Sequence, residues 1–417
     1  MQWEALGFKD DPFRTQPITS YTLDLYTGNK DKLKQAQYAL NTSNMVMVIE
    51  GDRGVGTTSF ANYLRFKAQE KNKYFTPMSE IKVEPYWNAD TLMAAVIGNI
   101  VRTLELGYPS KIKNNNRFAE AKSIIGRITE TFSSFGFSAF GVGCNYGSSG
   151  ATSQPVVMPT QILAHHIENL VKIVQDLGFK YGVLIQLNNL DVGTVQDEEH
   201  LKVLLNVMRD YFQTPGTSWL LVGDTELRRF IAQEIDRLDD IVAFDAEITA
   251  LSEKEYIELI NTRVQYFKAK PQVTLPVDKE VWIYLFRITK GRLRYIFGLL
   301  NRLFSALQLG VLIDKISLEL AMPVIKRFGE DRIKRHRLSE TEEIVLRAVV
   351  ASKAIQVGDL AKQINKPQTQ ISTVLGSLLK YRLVHYKQEW RKRIYMPEID
   401  AALAYSDIEQ AKKRLED

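Results

Sequence analysis

Residues 45–60, Met-Val-Met-Val-Ile-Glu-Gly-Asp-Arg-Gly-Val-Gly-Thr-Thr-Ser-Phe, constrain this chain more than any other stretch. An apolar strand runs into a turn of small residues and then into an amphipathic pattern, Phe60, Tyr63, Leu64 and Phe66, at helical spacing over Ser59 to Glu70. Three glycines, Gly51, Gly54 and Gly56, let backbone N–H groups converge ahead of a helix whose dipole is positive at that end. Set against the pattern G-x-x-x-x-G-K-[ST], Gly51 and Gly56 keep their places and Thr58 holds the magnesium-side hydroxyl position, while Thr57 stands where lysine is expected. Residues Gly51, Asp52, Arg53, Gly54, Val55, Gly56, Thr57, Thr58 and Ser59 are therefore the candidate phosphate cradle, without its point charge. The competing reading is a glycine-rich strand-to-helix turn that holds no ligand.

A second apolar strand, from Tyr181, ends in Leu187-Asn188-Asn189-Leu190-Asp191. At such a strand end a phosphate-loop NTPase carries acids that hold Mg²⁺ and polarise the attacking water. Asn188 and Asn189 are amides, which neither attract a cation by charge nor accept a proton. Asp191 is the nearby acid. Further strands are expected at Lys73–Pro85, Ser218–Gly223 (with Asp224 at its tip) and Phe244–Ile248. Helices are expected at 30–40, 91–106, 118–132, 160–177 and 198–212, with Arg228, Arg229 and Arg237 on a basic stretch. Between the helices at 118–132 and 160–177 lies a glycine-rich insertion, 135–159. Beyond Ser252 the pattern is helical only. This order predicts an α/β fold, a doubly wound parallel sheet with a helical lid, divided as 1–250 and 251–330.

The charge is unevenly placed. Of a net +5, residues 326–396 hold 16 Lys and Arg against 7 Asp and Glu, which is +9 and leaves −4 for the remainder. A basic module on an acidic body suggests a polyanion partner, most simply double-stranded DNA. After a basic linker, 332–337, three helices are expected at 340–352, 357–364 and 367–381, the first opened by the capping signal Ser339-Glu340-Thr341-Glu342. A two-stranded ribbon over 383–396 follows, with Glu389-Trp390-Arg391-Lys392-Arg393 at its tip. Residues 331–417 thus read as a winged helix-turn-helix. Gln368, Thr369, Gln370 and Ser372 are the candidate base or phosphate contacts on the third helix, and Arg391, Lys392 and Arg393 the backbone contacts on the wing. A winged helix used only for protein contact is the alternative.

One cysteine excludes an internal disulfide, and five scattered histidines give no metal-ligand spacing. No run long enough to cross a membrane and no signal pattern is present, so a cytoplasmic protein with no membrane partner is expected.

With these pieces in order, the chain resembles the origin-recognition-type (initiator clade) AAA+ ATPases and the related AAA+ regulators of transposons. The segments Leu6-Gly7-Phe8 and Asp11-Pro12-Phe13 are similar to the part that packs beside the adenine in that family. Residues 51–58 resemble Walker A, and 184–191 Walker B. Asp224 occupies the sensor 1 place, Gly291-x-x-Arg294 is similar to sensor 2, and Arg237, with Arg228 or Arg229 as competitors, stands where a trans-acting arginine finger lies. The resemblance implies ATP or ADP as ligand, Mg²⁺ near Thr58 and Asp191, Arg294 as a nucleotide contact, and assembly with itself or with a partner protein.

The departures bear on activity. Thr57, Asn188 and Asn189 remove three groups on which phosphoryl transfer relies, and losing one such group costs about 10²–10³ in rate. Slow or absent hydrolysis is expected, with Asn188, Asn189, Asp191, Asp224 and Arg237 the remaining catalytic candidates. Two further readings are a nucleotide-independent DNA-binding regulator whose ATPase-like body recognises partners, and an active NTPase using Arg53 or Lys67 as its cation.

Overall fold

The computed structural model describes residues 3–85, 87–133, 160–192, 195–273, 275–390, 392–405 and 408–416. The expected insertion at 135–159 lies outside the described residues, as does Arg391. The chain forms two compact units, 16–250 and 1–15 together with 251–417.

The first unit is built on five parallel strands, β1 (Val46–Gly51), β2 (Ile81–Lys82), β3 (Val183–Asn188), β4 (Thr217–Gly223) and β5 (Val242–Ile248), in the order β2-β3-β4-β1-β5. All the pairings are parallel, with Ile49 opposite Val222 on one side and opposite Ala246 on the other. A parallel sheet buries both faces, and the strands alternate accordingly. Val46, Val48, Val183, Ile185, Trp219 and Leu221 join one core, under the helices Ala89–Gly107, Thr160–Asp176 and Val195–Phe212. Met47, Ile49, Leu184, Leu220 and Val222 join the other, under Lys30–Ala39 and Thr57–Glu70. This is the doubly wound arrangement, in which loops at the carboxyl ends of the strands form the site.

The strand expected over 73–85 is much shorter. Only Ile81–Lys82 pairs with β3, apart from an isolated bridge between Phe75 and Val183. Arg65, buried in the helix Thr57–Glu70, explains the interruption by donating to Pro77 O at 2.6 Å and Met78 O at 3.5 Å. Those carbonyls are satisfied without a neighbouring strand.

In the second unit, helices Glu253–Phe267, Lys279–Ile288, Leu293–Ala306 and Leu318–Lys334 precede the winged helix. The opening segment belongs here. Phe13 packs edge-on against Trp282 and Phe297, and Arg263 donates to Pro12 O at 3.0 Å and Arg14 O at 3.2 Å. The stretch read as a linker at 332–337 is partly helical, since Leu318–Lys334 continues through Arg332, which pairs with Asp400 at 3.1 Å. The winged helix comprises Glu340–Ser352, Val357–Ile364 and Gln368–Lys380 with a three-stranded antiparallel sheet, β6 (Ile355–Gln356), β7 (Val384–Glu389) and β8 (Lys392–Pro397), ordered β6-β8-β7. The Ser339–Glu342 capping box is formed as expected from sequence. Two helices follow the wing, Ile399–Ala404 and Ile408–Glu416.

Candidate functional site

The loop 52–56 joins the carboxyl end of β1, a central strand, to the N-terminus of the helix Thr57–Glu70. Gly56 has φ 112°, and nothing lies within 4 Å of where its Cβ would stand, so the turn opens on a space. At Gly51 a side chain is excluded, because a Cβ would meet Ile248 O at 2.4 Å. Gly56 is also the N-cap and no side chain caps the helix, which leaves its first-turn N–H groups to an anion. The donors fit a phosphate.

Threonine stands at position 57, and the two cations named from the sequence, Lys67 and Arg53, are paired with acids. Thr57 Oγ1 packs back toward Gly51, about where a Cβ there would be 3.1 Å away. Lys67 lies nearly three turns further along the helix, paired with Glu70 at 2.8 Å. Arg53 is largely exposed and reaches Asp191 at 3.0 Å. The loop and the end of β3 are thereby tied by a single ion pair.

Asn188 is buried, and its side-chain oxygen accepts from Gln186 Nε2 at 2.9 Å. The two residues share one face of β3 and form a buried pair of neutral amides. Asn189 is exposed with φ 67°. Asp224, past the end of β4, accepts from the Glu226 N–H at 3.3 Å. Burial pushes its carboxyl above the usual range, and nearby Asp191 adds to this, opposed by the Val192 N–H and Arg53. Glu50, which the sequence reading passed over, is raised by burial and by Glu247, Asp245 and Asp224, while it accepts the Arg228 N–H at 2.8 Å. An acid closing an apolar strand one residue before the first glycine was the available signal.

Mg²⁺ is usually held by one or two carboxylates together with waters and substrate phosphates. Here neutral Asn188 is engaged with Gln186 and the Asp191 carboxylate faces the Arg53 guanidinium, so neither offers the ion a free charged oxygen. Among the described residues no group of three His, Cys, Asp or Glu is placed to hold a metal.

Of the finger candidates, Arg228 is turned inward, paired with Asp239 and, at 3.5 Å, with Asp245. Arg229 pairs with Glu226 at 2.8 Å, and Arg237 is exposed on the short helix Asp236–Asp239. Arg294, in the second unit, is exposed on the first turn of Leu293–Ala306.

In the winged helix, Gln368, Thr369, Gln370 and Ser372 are exposed along the N-terminal half of Gln368–Lys380, while Ile371, Leu375 and Leu378 face the core. Lys392 and Arg393 are exposed on β8, and Arg393 lies over the Tyr386 ring at 4.6 Å.

The penicillinase repressor family model matches residues 338–413. No curated protein matches the chain. Among solved structures, the Aeropyrum pernix ORC2 protein in ADPNP-ADP complexes is 15% identical, with 98% of this chain and 98% of that chain covered and a TM-score of 0.52. The Walker-type ATPase PABY2304 of Pyrococcus abyssi is 12% identical, over 94% and 99%, at 0.47. The Aeropyrum pernix ORC1 protein in complex with DNA is 13% identical, over 95% and 96%, at 0.44. In fold, the chain is similar to the ORC2 protein, with a parallel-sheet α/β core and a winged helix at its C-terminal end.

Proposed function

We propose that the chain is a DNA-binding protein of origin-recognition type that binds ATP or ADP and hydrolyses it slowly or not at all, assembling on DNA with itself or a partner protein. The observation that carries this reading is the buried Gln186–Asn188 amide pair beside an intact anion cradle. Backbone N–H groups bind phosphate without any catalytic acid, whereas the amides Asn188 and Asn189 at the end of β3 supply neither a proton acceptor nor negative charge for a metal. Nucleotide then serves as a structural ligand. The Aeropyrum pernix ORC2 structure contains ADPNP and ADP, and the ORC1 structure contains DNA.

DNA binding is assigned to the third helix of the winged helix and to its basic wing. Gel shifts with random duplex across a salt series test it. The affinity should fall steeply with salt, because phosphate contacts release counterions. Substituting Lys392 and Arg393 with Ala should weaken binding to every sequence alike, while changing Gln368 or Gln370 should alter preference. For the nucleotide, calorimetric titration with ATP should give heat, while a turnover assay stays at background. Heat-free titration at millimolar ATP would favour the second reading, a nucleotide-independent scaffold, for which the Arg53–Asp191 tie across the loop is the supporting observation.

A further inference from the structure

The wing ends in a two-residue turn, since Glu389 pairs with Lys392 across the hairpin. Such turns demand positive φ and are usually filled by Asn, Asp or Gly. Here the first turn residue is Trp390, at φ 56° and 99% exposed. A bulky residue in the left-handed region is strained, and strain of that kind gathers at binding sites. The turn is nevertheless held, with Gln388 Nε2 donating to Trp390 O at 3.0 Å. Below it the ribbon is stiffened by the cross-strand pair Tyr386–Tyr395, whose ring centroids are 5.8 Å apart, and by Arg393 over Tyr386. The remaining tryptophans are buried or half-buried: Trp87, Trp219 and Trp282 in cores, and Trp3 against Phe8 and Phe304.

We propose that Trp390 is a base-contacting wedge, its indole stacking on a base step of duplex DNA while the basic residues around it hold the backbone. This rests on the reading of the winged helix as a DNA-binding domain and adds to it a contact that phosphate binding does not supply. Residues 387–393 carry four Lys or Arg and one Glu, which makes a polyanion the complementary partner. An uncharged indole offers phosphate no more than its single N–H donor, so on such a partner its large apolar face is left for a base. Wedges of this type unstack a step and bend the duplex.

The test uses the full chain and a random-sequence duplex. DNA should quench tryptophan emission and shield the iodide-accessible fraction, and Trp390→Phe should abolish most of that signal while keeping affinity within about threefold. Trp390→Ala should bind about tenfold more weakly, in the range of base–aromatic stacking, with an unchanged slope of log K against log salt. Arg393→Ala should instead flatten that slope. Trp390→Gly, which relieves the turn, should keep or raise Tm while showing the same weakened binding, so a folding defect is distinguished from a lost contact. Equal affinity of the wild type and Trp390→Ala, or a flattened slope in Trp390→Ala, would overturn the wedge while leaving DNA binding in place. No binding by the wild type at any salt would remove both.

Discussion

Arg53 and Asp191 meet at 3.0 Å, joining the middle of the glycine-rich loop to the residues just past β3. Asp191 lies near Asp224, whose carboxyl is already pushed up by burial and further by Asp191. A nucleotide in the cradle would bring further negative charge toward both. The pair therefore balances the loop in the absence of phosphate and competes with it when phosphate arrives.

Asp191→Asn should tighten ATP binding by roughly fivefold, the equivalent of about 1 kcal/mol for an exposed charge pair. Arg53→Ala should weaken it by a similar factor. Both effects should be the same in Mg²⁺ and in EDTA, measured by calorimetric titration. A Mg²⁺-dependent loss of affinity in Asp191→Asn would restore that residue as a metal ligand.

Thr57→Lys returns the missing point charge to the helix N-terminus and should tighten ATP binding at least about tenfold, as a charge-assisted contact to phosphate does. Turnover should remain at background, because the amides at the end of β3 are unchanged. Only the combination of Thr57→Lys with Asn188→Asp and Asn189→Glu should hydrolyse ATP. Asn188→Asp alone should lower stability, since it places a carboxylate in a buried position. Turnover by Thr57→Lys alone would show that Asn188 and Asn189 are not the reason for inactivity.

Arg228 and Arg237 separate by their surroundings. The Arg228 side chain faces Asp239 and Asp245 while its backbone N–H, which alanine would keep, is on Glu50, so Arg228→Ala leaves two acids less compensated. It should lower stability by about 1–2 kcal/mol in a denaturant melt. Arg237 is exposed, and Arg237→Ala should stay within about 0.5 kcal/mol of wild type. If a finger contributes to assembly, light scattering with ATP and DNA should register Arg237→Ala and leave a folded Arg228→Lys unaffected.

The sheet was legible because both faces are covered, which turns β1, β3 and β4 into apolar runs, and because glycines mark the strand-to-helix turn after β1. Residues 73–85 misled for a reason no local pattern holds: the carbonyls of Pro77 and Met78 are taken by a guanidinium from the preceding helix. Residues 332–337 read as linker, yet Arg332–Lys334 belong to the helix Leu318–Lys334, whose end is fixed by Asp400, nearly seventy residues on. At the site, the substitutions at 57, 188 and 189 were plain from spacing. The Gln186–Asn188 bond was not, although a glutamine inside an apolar strand two residues before an asparagine places both on one face.

Glu398 offers a pH test of how the wing is seated. It lies 3.1 Å from His385 on β7, and Lys290 Nζ lies 3.4 Å from the other ring nitrogen. The His385 contact, with Arg292 and Lys290 nearby, holds the Glu398 carboxyl below its usual range against the opposing effect of burial. A carboxyl depressed in the folded state binds fewer protons there than in the unfolded chain. Its contribution is therefore present above the ordinary value of 4.5 and is lost as pH falls through the lower folded value. Glu398→Gln should cost about 0.5–1 kcal/mol at pH 7, a range set by partial solvent screening. The deficit should shrink progressively below pH 4.5 and vanish once the wild-type carboxyl is protonated. Denaturant melts of both proteins from pH 7 to pH 3 give the comparison, and a deficit that stays constant across that range would show that the residue acts through packing at the start of Ile399–Ala404 and not through its charge.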